Sequence, residues 1–553
     1  MQYNGAEIII KTLLDEGVDT VFGYPGGAVL DIYNALYDYE NQIRHIRPVH
    51  EQGGVHAADG YSRSTGKTGV VIATSGPGAT NLITGIATAY MDSIPLVCIT
   101  GNAASHLIGK DAFQEIDIFG ATMAVTKHNF MVRDVAMLQD TIRRAFMIAN
   151  SGRKGPVLID IPKDITQQFT EFNHKEKLEI DSILEPEQEA VKEFANIINE
   201  SKRPIIYAGG GIISANAHEA LRKLMNKASI PAVNTIMAIG CLGEHDVLNL
   251  GMVGMHGRNS SNLAIEDSDL LIAIGTRFSD RVALNTKHFA PNAKIVHIDI
   301  DNSEINKNIL ADFNIVGHAK KVLEAVLPYI EENPRKDWIK KIAEFKTNDY
   351  RPKDEDTEIK PHQLIKYIVD NVEDDAIFVT DVGQHQMWTA QCCERTKPRT
   401  FLTSGGLGTM GFGMGATIGA KTGNPDKTVI HISGDGSFMM NMVEIKTAVD
   451  YTIKTISVIV PTHTLGMVRQ WQNLLYQKRF SETNIDHSVD YVKYADAMGA
   501  KGYHCETIQD FEDAFQDALK QEKPCIIEAI IDKDTMVFPM IPAGGTVNDI
   551  IID

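Results

Sequence analysis

Six short stretches of this chain combine glycine with small polar or acidic residues, as phosphate-binding turns do. They are GYPGG (23–27), TSGPGATN (74–81), AGGG (208–211), DVGQ (381–384), SGGLGTMGFG (404–413) and SGDGS (433–437). Glycine lets backbone N–H groups come close to an anion, and a helix starting in such a turn offers its unpaired N–H groups and positive dipole end. One such turn serves a tight bend as readily as a ligand. Six of them, spread along the chain, point to large phosphorylated cofactors without saying which. Sulfur chemistry is not indicated. Cys98, Cys241, Cys505 and Cys525 are scattered through apolar or mixed stretches, and Cys392–Cys393 are adjacent instead of in C-x-x-C spacing. Reduced, mostly buried thiols in a cytoplasmic protein are expected.

The elements that would hold these turns are legible. Runs such as TGVVIATSG, PLVCITG, GPVLIDI, RPIIYAGGG, DLLIAIGT, KIVHIDID, DAIFVTDVG, KTVIHISGDG, TISVIVP and CIIEAIID are continuously apolar and end in Gly, Asp or Pro. Apolar runs without period-2 alternation mark strands buried on both faces. Alternating with amphipathic helices, they predict α/β units around parallel sheets flanked by helices, with ligands at the carboxyl ends of the strands. Two charged, strand-poor stretches, 166–189 and 331–359, are expected to be solvated linkers. Three α/β domains result, spanning 1–165, 190–330 and 360–553.

Composition narrows the function. A chain of 553 residues is too long for one core and suits about three domains. A formal charge of -19, with no basic run to override it, argues against a nucleic-acid partner. The N-terminus MQYNGAEIIIKTLLDEGV reads as a first helix, neither a signal nor a transit peptide. No apolar run approaches the roughly 18 residues of a membrane span. A soluble, cytoplasmic chain is expected, bacterial or archaeal if it is full length.

HEQGGVHAADGYSRSTGKTGV (50–70) resembles the pyrimidine-binding domain of thiamine-diphosphate enzymes, and GDGSF (434–438) resembles the start of that family's diphosphate-binding motif. Narrower stretches are similar to the acetohydroxyacid synthase catalytic subunit. They are FGYPGGAVLDIYNAL, TSGPGATNLITGIATAYMDSIPLV, DAFQEIDIFG, VTKHNF, GMVGMHG, RFSDRV, TDVGQHQMW, SGGLGTMGFG and LGMVRQWQ. The resemblance runs from about residue 4 to residue 543. It implies a three-domain fold with an FAD-binding middle domain. It also implies an enzyme that decarboxylates pyruvate on thiamine diphosphate and joins the two-carbon fragment to pyruvate or 2-ketobutyrate, in branched-chain amino-acid biosynthesis.

The resemblance also assigns roles. Glu51 would be the carboxylate on the aminopyrimidine ring, with burial raising its pKa so that it can hold a proton. Met410, in GLGTMGFG after Gly408, would be the wedge that folds the cofactor. Gly383, Gln384 and His385 would approach the diphosphate from one side, and Gly436 and Ser437 from the other. Arg281, positioned by Asp280, would grip the carboxylate of the second keto acid, and Met467 and Trp471 would wall the pocket for its alkyl group. Phe113, Gln114 and Lys127 match active-site positions supplied by the first domain. In the middle domain Gly209, Gly210, Gly211, Thr235, Met255, His256, Gly275, Arg277 and Asp299 match flavin-contacting positions, with Arg153 reaching across. The reaction has no redox step, so FAD would be structural. The catabolic relative that makes acetolactate lacks both the flavin and the RF-x-DR pattern present here.

The match breaks at the metal. About 27 residues after the Asp of GDG the family has Asn–Asn, whereas this chain has Pro461 and Thr462. Mg²⁺ would be held by Asp435, by the Thr462 hydroxyl or a water in its place, and by the carbonyl of Thr464. His463 is the competing ligand, but imidazole suits softer metals. Lys110, Asn102, Ser279 and His318 are smaller departures, the last near the flavin. Two other readings are a catalytically silent homologue with an altered metal loop, and a sister enzyme such as glyoxylate carboligase or oxalyl-CoA decarboxylase. Glu51 argues against the carboligase and LGMVRQWQ against both. In the family two subunits share each cofactor, so a homodimer would be the minimum, with a homotetramer or a small regulatory subunit as further assembly.

Overall fold

The computed structural model describes residues 1–177, 185–244, 246–354, 358–485 and 489–552. Three six-stranded parallel sheets, each flanked by helices, account for the architecture. The first runs in the spatial order Arg44–Ile46, Thr20–Gly23, Gly69–Ala73, Leu96–Asn102, Val157–Pro162, His128–Met131. The last has the same topology: Phe401–Leu402, Ile377–Thr380, Val429–Ser433, Ile456–Ile459, Cys525–Ala529, Lys501–Cys505. The middle sheet is ordered Asn249–Met252, Ala232–Asn234, Pro204–Ala208, Leu270–Ile274, Lys294–Asp299, Phe313–Val316.

In each sheet the chain leaves its first main strand in one direction and returns on the other side. The crevice at such a reversal, beyond the strand carboxyl ends, is where open α/β sheets bind ligands. Five of the glycine-rich turns lie at these reversals. GYPGG and TSGPG follow Thr20–Gly23 and Gly69–Ala73, AGGG follows Pro204–Ala208, and DVGQ and SGDGS follow Ile377–Thr380 and Val429–Ser433. Parallel pairing with both faces covered explains the continuous apolar runs: every residue of Gly69–Ala73, Pro204–Ala208, Leu270–Ile274, Val429–Ser433 and Ile456–Ile459 is buried.

The first and last sheets share a core. The helices Glu51–Thr65 and Phe412–Gly423 lie against each other because small residues face one another. A Cβ added to Gly60 would stand 2.1 Å from the Ala416 carbonyl oxygen, so no larger residue fits there. A buried Arg63 fastens the contact, pairing with Asp59 and Asp92 and donating to the Thr403 carbonyl over 2.7 Å. Asp92 in turn accepts from the Gly405 and Gly406 amides.

The two charged stretches are less slack than their composition suggests. Phe169–Glu171 pairs antiparallel with Gln2–Asn4, which folds the start of the first stretch back onto the N-terminal unit. Residues 178–184 of that stretch lie outside the described residues. In the second, the helix Lys336–Thr347 turns Trp338 and Ile342 into the middle-domain core. The Trp338 indole there donates to the Pro204 carbonyl over 2.9 Å. Among the described residues no helix is long and apolar enough to cross a membrane.

Candidate functional site

At the reversal of the last sheet, the helix Asp435–Asn441 starts directly after its strand and puts Asp435 at its first position. Burial pushes the Asp435 carboxyl upward. Its Oδ2 has no hydrogen-bond partner among the described residues, and His463 Nδ1 stands 4.0 Å away. Thr462 and Thr464 are both buried, and the Thr462 hydroxyl donates to the Thr464 carbonyl over 3.1 Å. Neighbouring ligands of an octahedral shell with bonds of roughly 2.0–2.1 Å stand about 3 Å apart, so this oxygen pair suits one edge of a magnesium site. Among the described residues no group of three or more His, Cys, Asp or Glu is placed to hold a metal ion by itself. One carboxylate beside hydroxyl and carbonyl oxygens fits a hard cation better than a soft one.

Across the reversal, Gly383 caps the helix Gln384–Cys392 with φ +153°. The His385 ring is buried against Gly383 and Gly434, its Nε2 unpartnered among the described residues, and burial pushes its pKa down to about 4. A neutral imidazole there can donate to an anion. The Gln384 amide is fixed by two acceptors, Gln470 Oε1 at 3.0 Å and the Thr535 carbonyl at 2.9 Å, which leaves its Oε1 buried and free among the described residues. Asp381 organises this region, a role the sequence did not announce. Its carboxylate accepts from Ser437 Oγ and the Gly411 amide, both at 2.8 Å, and meets His431 Nε2 at 3.2 Å. Burial alone would raise its pKa, but His431 and Ser437 keep the carboxyl below its ordinary value.

One cavity of about 1140 Å³ joins this region to the middle sheet. Gly383, Gly408, Met410, Met467, Trp471 and Arg281 are among its lining residues. Met467 and Trp471, four apart on the helix Gly466–Leu475, share a face. The Arg281 side chain is 65% exposed and its Nε stands 3.8 Å from Asp280, so it is loosely held. Gly209, Gly210, Gly211, Thr235, Met255, His256, Gly275, Arg277, Asp299 and Arg153 line it as well, with His318 among them. Gly209 and Gly211 press on Gly275, which has φ +58°. A Cβ on Gly209 would lie 2.1 Å from the Gly275 carbonyl oxygen. Thr235 Oγ1 and His256 Nδ1 are buried without partners among the described residues. Burial sets His256 down at about 4 and Asp299 up at about 6. Arg153 donates to Ser93 Oγ at 2.9 Å in the first domain and to Glu304 Oε1 at 2.8 Å in the middle one. Orphaned polar atoms in a glycine-walled channel of this size fit a flavin nucleotide.

The third group of expected residues stands apart. Glu51 opens the helix Glu51–Thr65, half-buried, with Asn81 Nδ2 donating to its Oε2 over 3.0 Å. The TSGPG turn spaces two of the residues, Gly78 facing Glu51 and Gly76 facing Gln114, whose own φ is +58°. Phe113 is 89% exposed. The Lys127 ammonium donates to the Ile148 and Ser151 carbonyls, and burial pushes its pKa down to about 8. None of Glu51, Phe113, Gln114 and Lys127 lines the cavity within this chain, and neither do Gln384, His385, Asp435, Gly436, Ser437, Thr462 and Thr464.

Three family models of thiamine pyrophosphate enzymes match the chain. They are the N-terminal TPP binding domain over residues 3–121, the central domain over 191–326 and the C-terminal TPP binding domain over 381–529. The chain is 45% identical to a probable acetolactate synthase large subunit of Methanocaldococcus jannaschii, over 99% of this chain and 95% of that one. It is 42% identical to the acetolactate synthase large subunit of Buchnera aphidicola, covering 99% and 98% of the two chains. Identity to the large subunit of Corynebacterium glutamicum is also 42%, over 99% and 90%.

Proposed function

The chain belongs to the thiamine pyrophosphate enzymes and, among them, to the acetolactate synthase large subunits, and on that footing we propose how its residues divide the work. The reaction removes CO₂ from one pyruvate and joins the remaining two-carbon fragment to the carbonyl carbon of a second 2-keto acid. The product is 2-acetolactate from pyruvate or 2-aceto-2-hydroxybutyrate from 2-ketobutyrate. Thiamine diphosphate, when bound, would supply the nucleophilic carbon and a sink for the electron pair left behind as CO₂ departs.

The protein orients, moves protons and excludes water. Glu51 would hydrogen-bond a pyrimidine ring nitrogen and exchange a proton with it, with Asn81 fixing the carboxyl from the side. Met410 wedges the cofactor. The Gly383, Gly436 and Ser437 backbone, the Gln384 turn and His385 receive the diphosphate at a helix N-terminus. Asp435, Thr462 and Thr464 would hold Mg²⁺, which neutralises the diphosphate. Arg281 binds the carboxylate of the second keto acid, and Met467 and Trp471 contact its alkyl group. FAD would occupy the middle-domain end as a structural group, since no electrons are transferred overall. The substrate and flavin part of this reading is supported by one observation: Gly383, Met410, Met467, Trp471 and Arg281 line one cavity together with Gly209, Gly210, Gly211 and Gly275.

Glu51 lies off that cavity, as do Asp435, Thr462 and Thr464, and on this proposal a second copy completes each site. Exposed apolar side chains flank both half-sites: Phe113 beside Gln114, and Met439, Met440 and Val443 just beyond Asp435. A homodimer is the minimum on this reading. Tetramers, a small regulatory subunit of the kind the relatives' names imply, and a cytoplasmic location belong to the same proposal.

The test is acetolactate formation from pyruvate with added thiamine diphosphate and titrated Mg²⁺. Product is expected, and the mixed product when 2-ketobutyrate is supplied. No product at saturating metal would instead favour a silent homologue. The observation favouring that second reading is the Thr462 hydroxyl, already engaged at Thr464 where the family offers an asparagine amide.

A further inference from the structure

We propose that Glu444 is a positioning residue for Glu51: from the last domain of the same chain it fixes the start of the helix that carries the proton-handling carboxyl. The inference rests on the reading of Glu51 given above.

A helix leaves its first N–H groups without intrahelical partners, and the direction of its first side chains follows from how that end is held. In the helix Glu51–Thr65 the Gln52 amide is taken by His50 Nδ1 at 3.1 Å. The two amides just upstream turn to a side chain almost 400 positions away. His50 N donates to Glu444 Oε1 over 2.9 Å and Val49 N to Glu444 Oε2 over 3.1 Å. Thr447 Oγ1 donates to the same Oε2 over 2.6 Å. All three contacts are donors, which is the surrounding an ionised carboxylate requires. Glu444 is fully buried. Burial pushes its carboxyl upward, while the Thr447, Val49 and His50 donors pull it back. An anion at this end also meets the positive pole of the helix.

Gly53 shows that the fit is built. A Cβ there would lie 2.2 Å from Glu444 Oε1, so the first glycine of HEQGG clears the space that the carboxylate fills. Glu444 itself is held by a 3-10 turn, Met442–Glu444, that continues the helix Asp435–Asn441 without a break.

A simpler account makes Glu444 a rivet between domains. That task is already covered. Arg63 reaches Thr403, Arg399 reaches the Arg63 carbonyl at 3.1 Å, and Tyr451 accepts from the Arg47 amide at 3.0 Å. Removing the Glu444 charge leaves these in place and frees, besides Thr447 Oγ1, only the Val49 and His50 amides just upstream of the helix start, the nearer one residue from Glu51.

The experiment uses the holoenzyme without substrate and follows deuterium exchange at the reactive carbon of thiamine diphosphate by quench and NMR. Glu444→Gln, Glu51→Gln and the double variant are compared, with cofactor affinity measured on each. Glu444→Gln is expected to slow exchange by about tenfold or more, a modest share of what general acid–base groups supply, while cofactor affinity changes less than about threefold. The effect should vanish in the Glu51→Gln background, since both changes act through one group. Glu444→Asp should recover part of the rate. Wild-type exchange in Glu444→Gln, or a full additional loss on top of Glu51→Gln, overturns the proposal. If Glu444→Gln does not fold, Thr447→Val removes one of the three donors and should slow exchange measurably with the same non-additivity; no slowing there overturns it equally. Wild-type exchange in Glu51→Gln alone would instead overturn the reading of Glu51.

Discussion

Asn81 holds the Glu51 carboxylate from the side, its Nδ2 donating to Oε2 over 3.0 Å, while the other oxygen faces Gly78. The hydrogen bond leaves one carboxyl oxygen for the cofactor and stops the side chain from rotating. Asn81→Ala should therefore lower kcat by about tenfold, the scale of losing orientation rather than the group itself. Steady-state acetolactate formation against Glu51→Gln as reference checks it. An Asn81→Ala enzyme with unchanged kcat would show that the carboxylate needs no such support.

Restoring the family amide at the metal loop should tighten the site. Thr462→Asn frees the Thr464 carbonyl from its 3.1 Å hydroxyl donor and adds an amide oxygen. Divalent-cation affinity is expected to rise about tenfold, roughly 1.4 kcal/mol. Mn²⁺ titration in the presence of thiamine diphosphate reads it directly. Thr462→Val should move affinity the other way, and Asp435→Asn should abolish tight binding.

The middle-domain channel makes a steric prediction. A methyl group at Gly211 would meet the backbone Cα of Gly275 at 2.6 Å, whereas one at Gly210 meets Met237 Cβ at 3.2 Å and the Met237 carbonyl oxygen at 3.6 Å. Gly211→Ala should lose flavin retention by at least about tenfold after gel filtration, with Gly210→Ala far milder. Flavin absorbance per chain is the measurement.

Substrate choice should follow the indole. Trp471→Leu removes broad apolar contact from the wall it shares with Met467. The preference for 2-ketobutyrate over pyruvate should fall by about 10- to 100-fold, the range one methylene commands. A competition assay with both acceptors present gives the ratio of the two products.

Acid should destabilise the fold through buried imidazoles. Burial pushes His45, His56, His256 and His385 down to about 4 from an ordinary value near 6.5. The unfolded chain then binds more protons than the folded one between these values, so stability rises with pH across that window. Below about 4 the full loss is present, up to about 3 kcal/mol for each imidazole. Denaturant midpoints from pH 7 down to 4 should fall steeply, and His56→Gln, which removes a ring with neither nitrogen partnered among the described residues, should flatten the slope. A midpoint independent of pH over that interval would contradict the burial argument.

The ten apolar runs are legible as strands because central parallel strands are buried on both faces, and hydrophobicity alone marks them. The edge strands are not. Arg44–Ile46 and Lys501–Cys505 carry exposed residues and lack an apolar run. The linker stretch around Trp338 conceals a packed helix, since the two residues that enter the core, Trp338 and Ile342, are outnumbered by charged neighbours. Most of the proposed cofactor contacts were reachable from motif resemblance. Asp381 and Glu444 were not, because their work is done on backbone amides and side chains far along the chain. A lone acid in DVGQ or VEIKT carries no mark of such partners.

The pairing of Gln2–Asn4 with Phe169–Glu171 bears on synthesis. Gln2–Asn4 gains its strand partner only after about 170 further residues have been translated, so this pairing is a late, non-local contact of the N-terminal unit. The helix Gly5–Asp15 between them, with Ile8, Ile9 and Ile10 fully buried, is covered earlier, by Leu30–Tyr37 and then Leu138–Asn150, so the short strand pair closes over a core already in place.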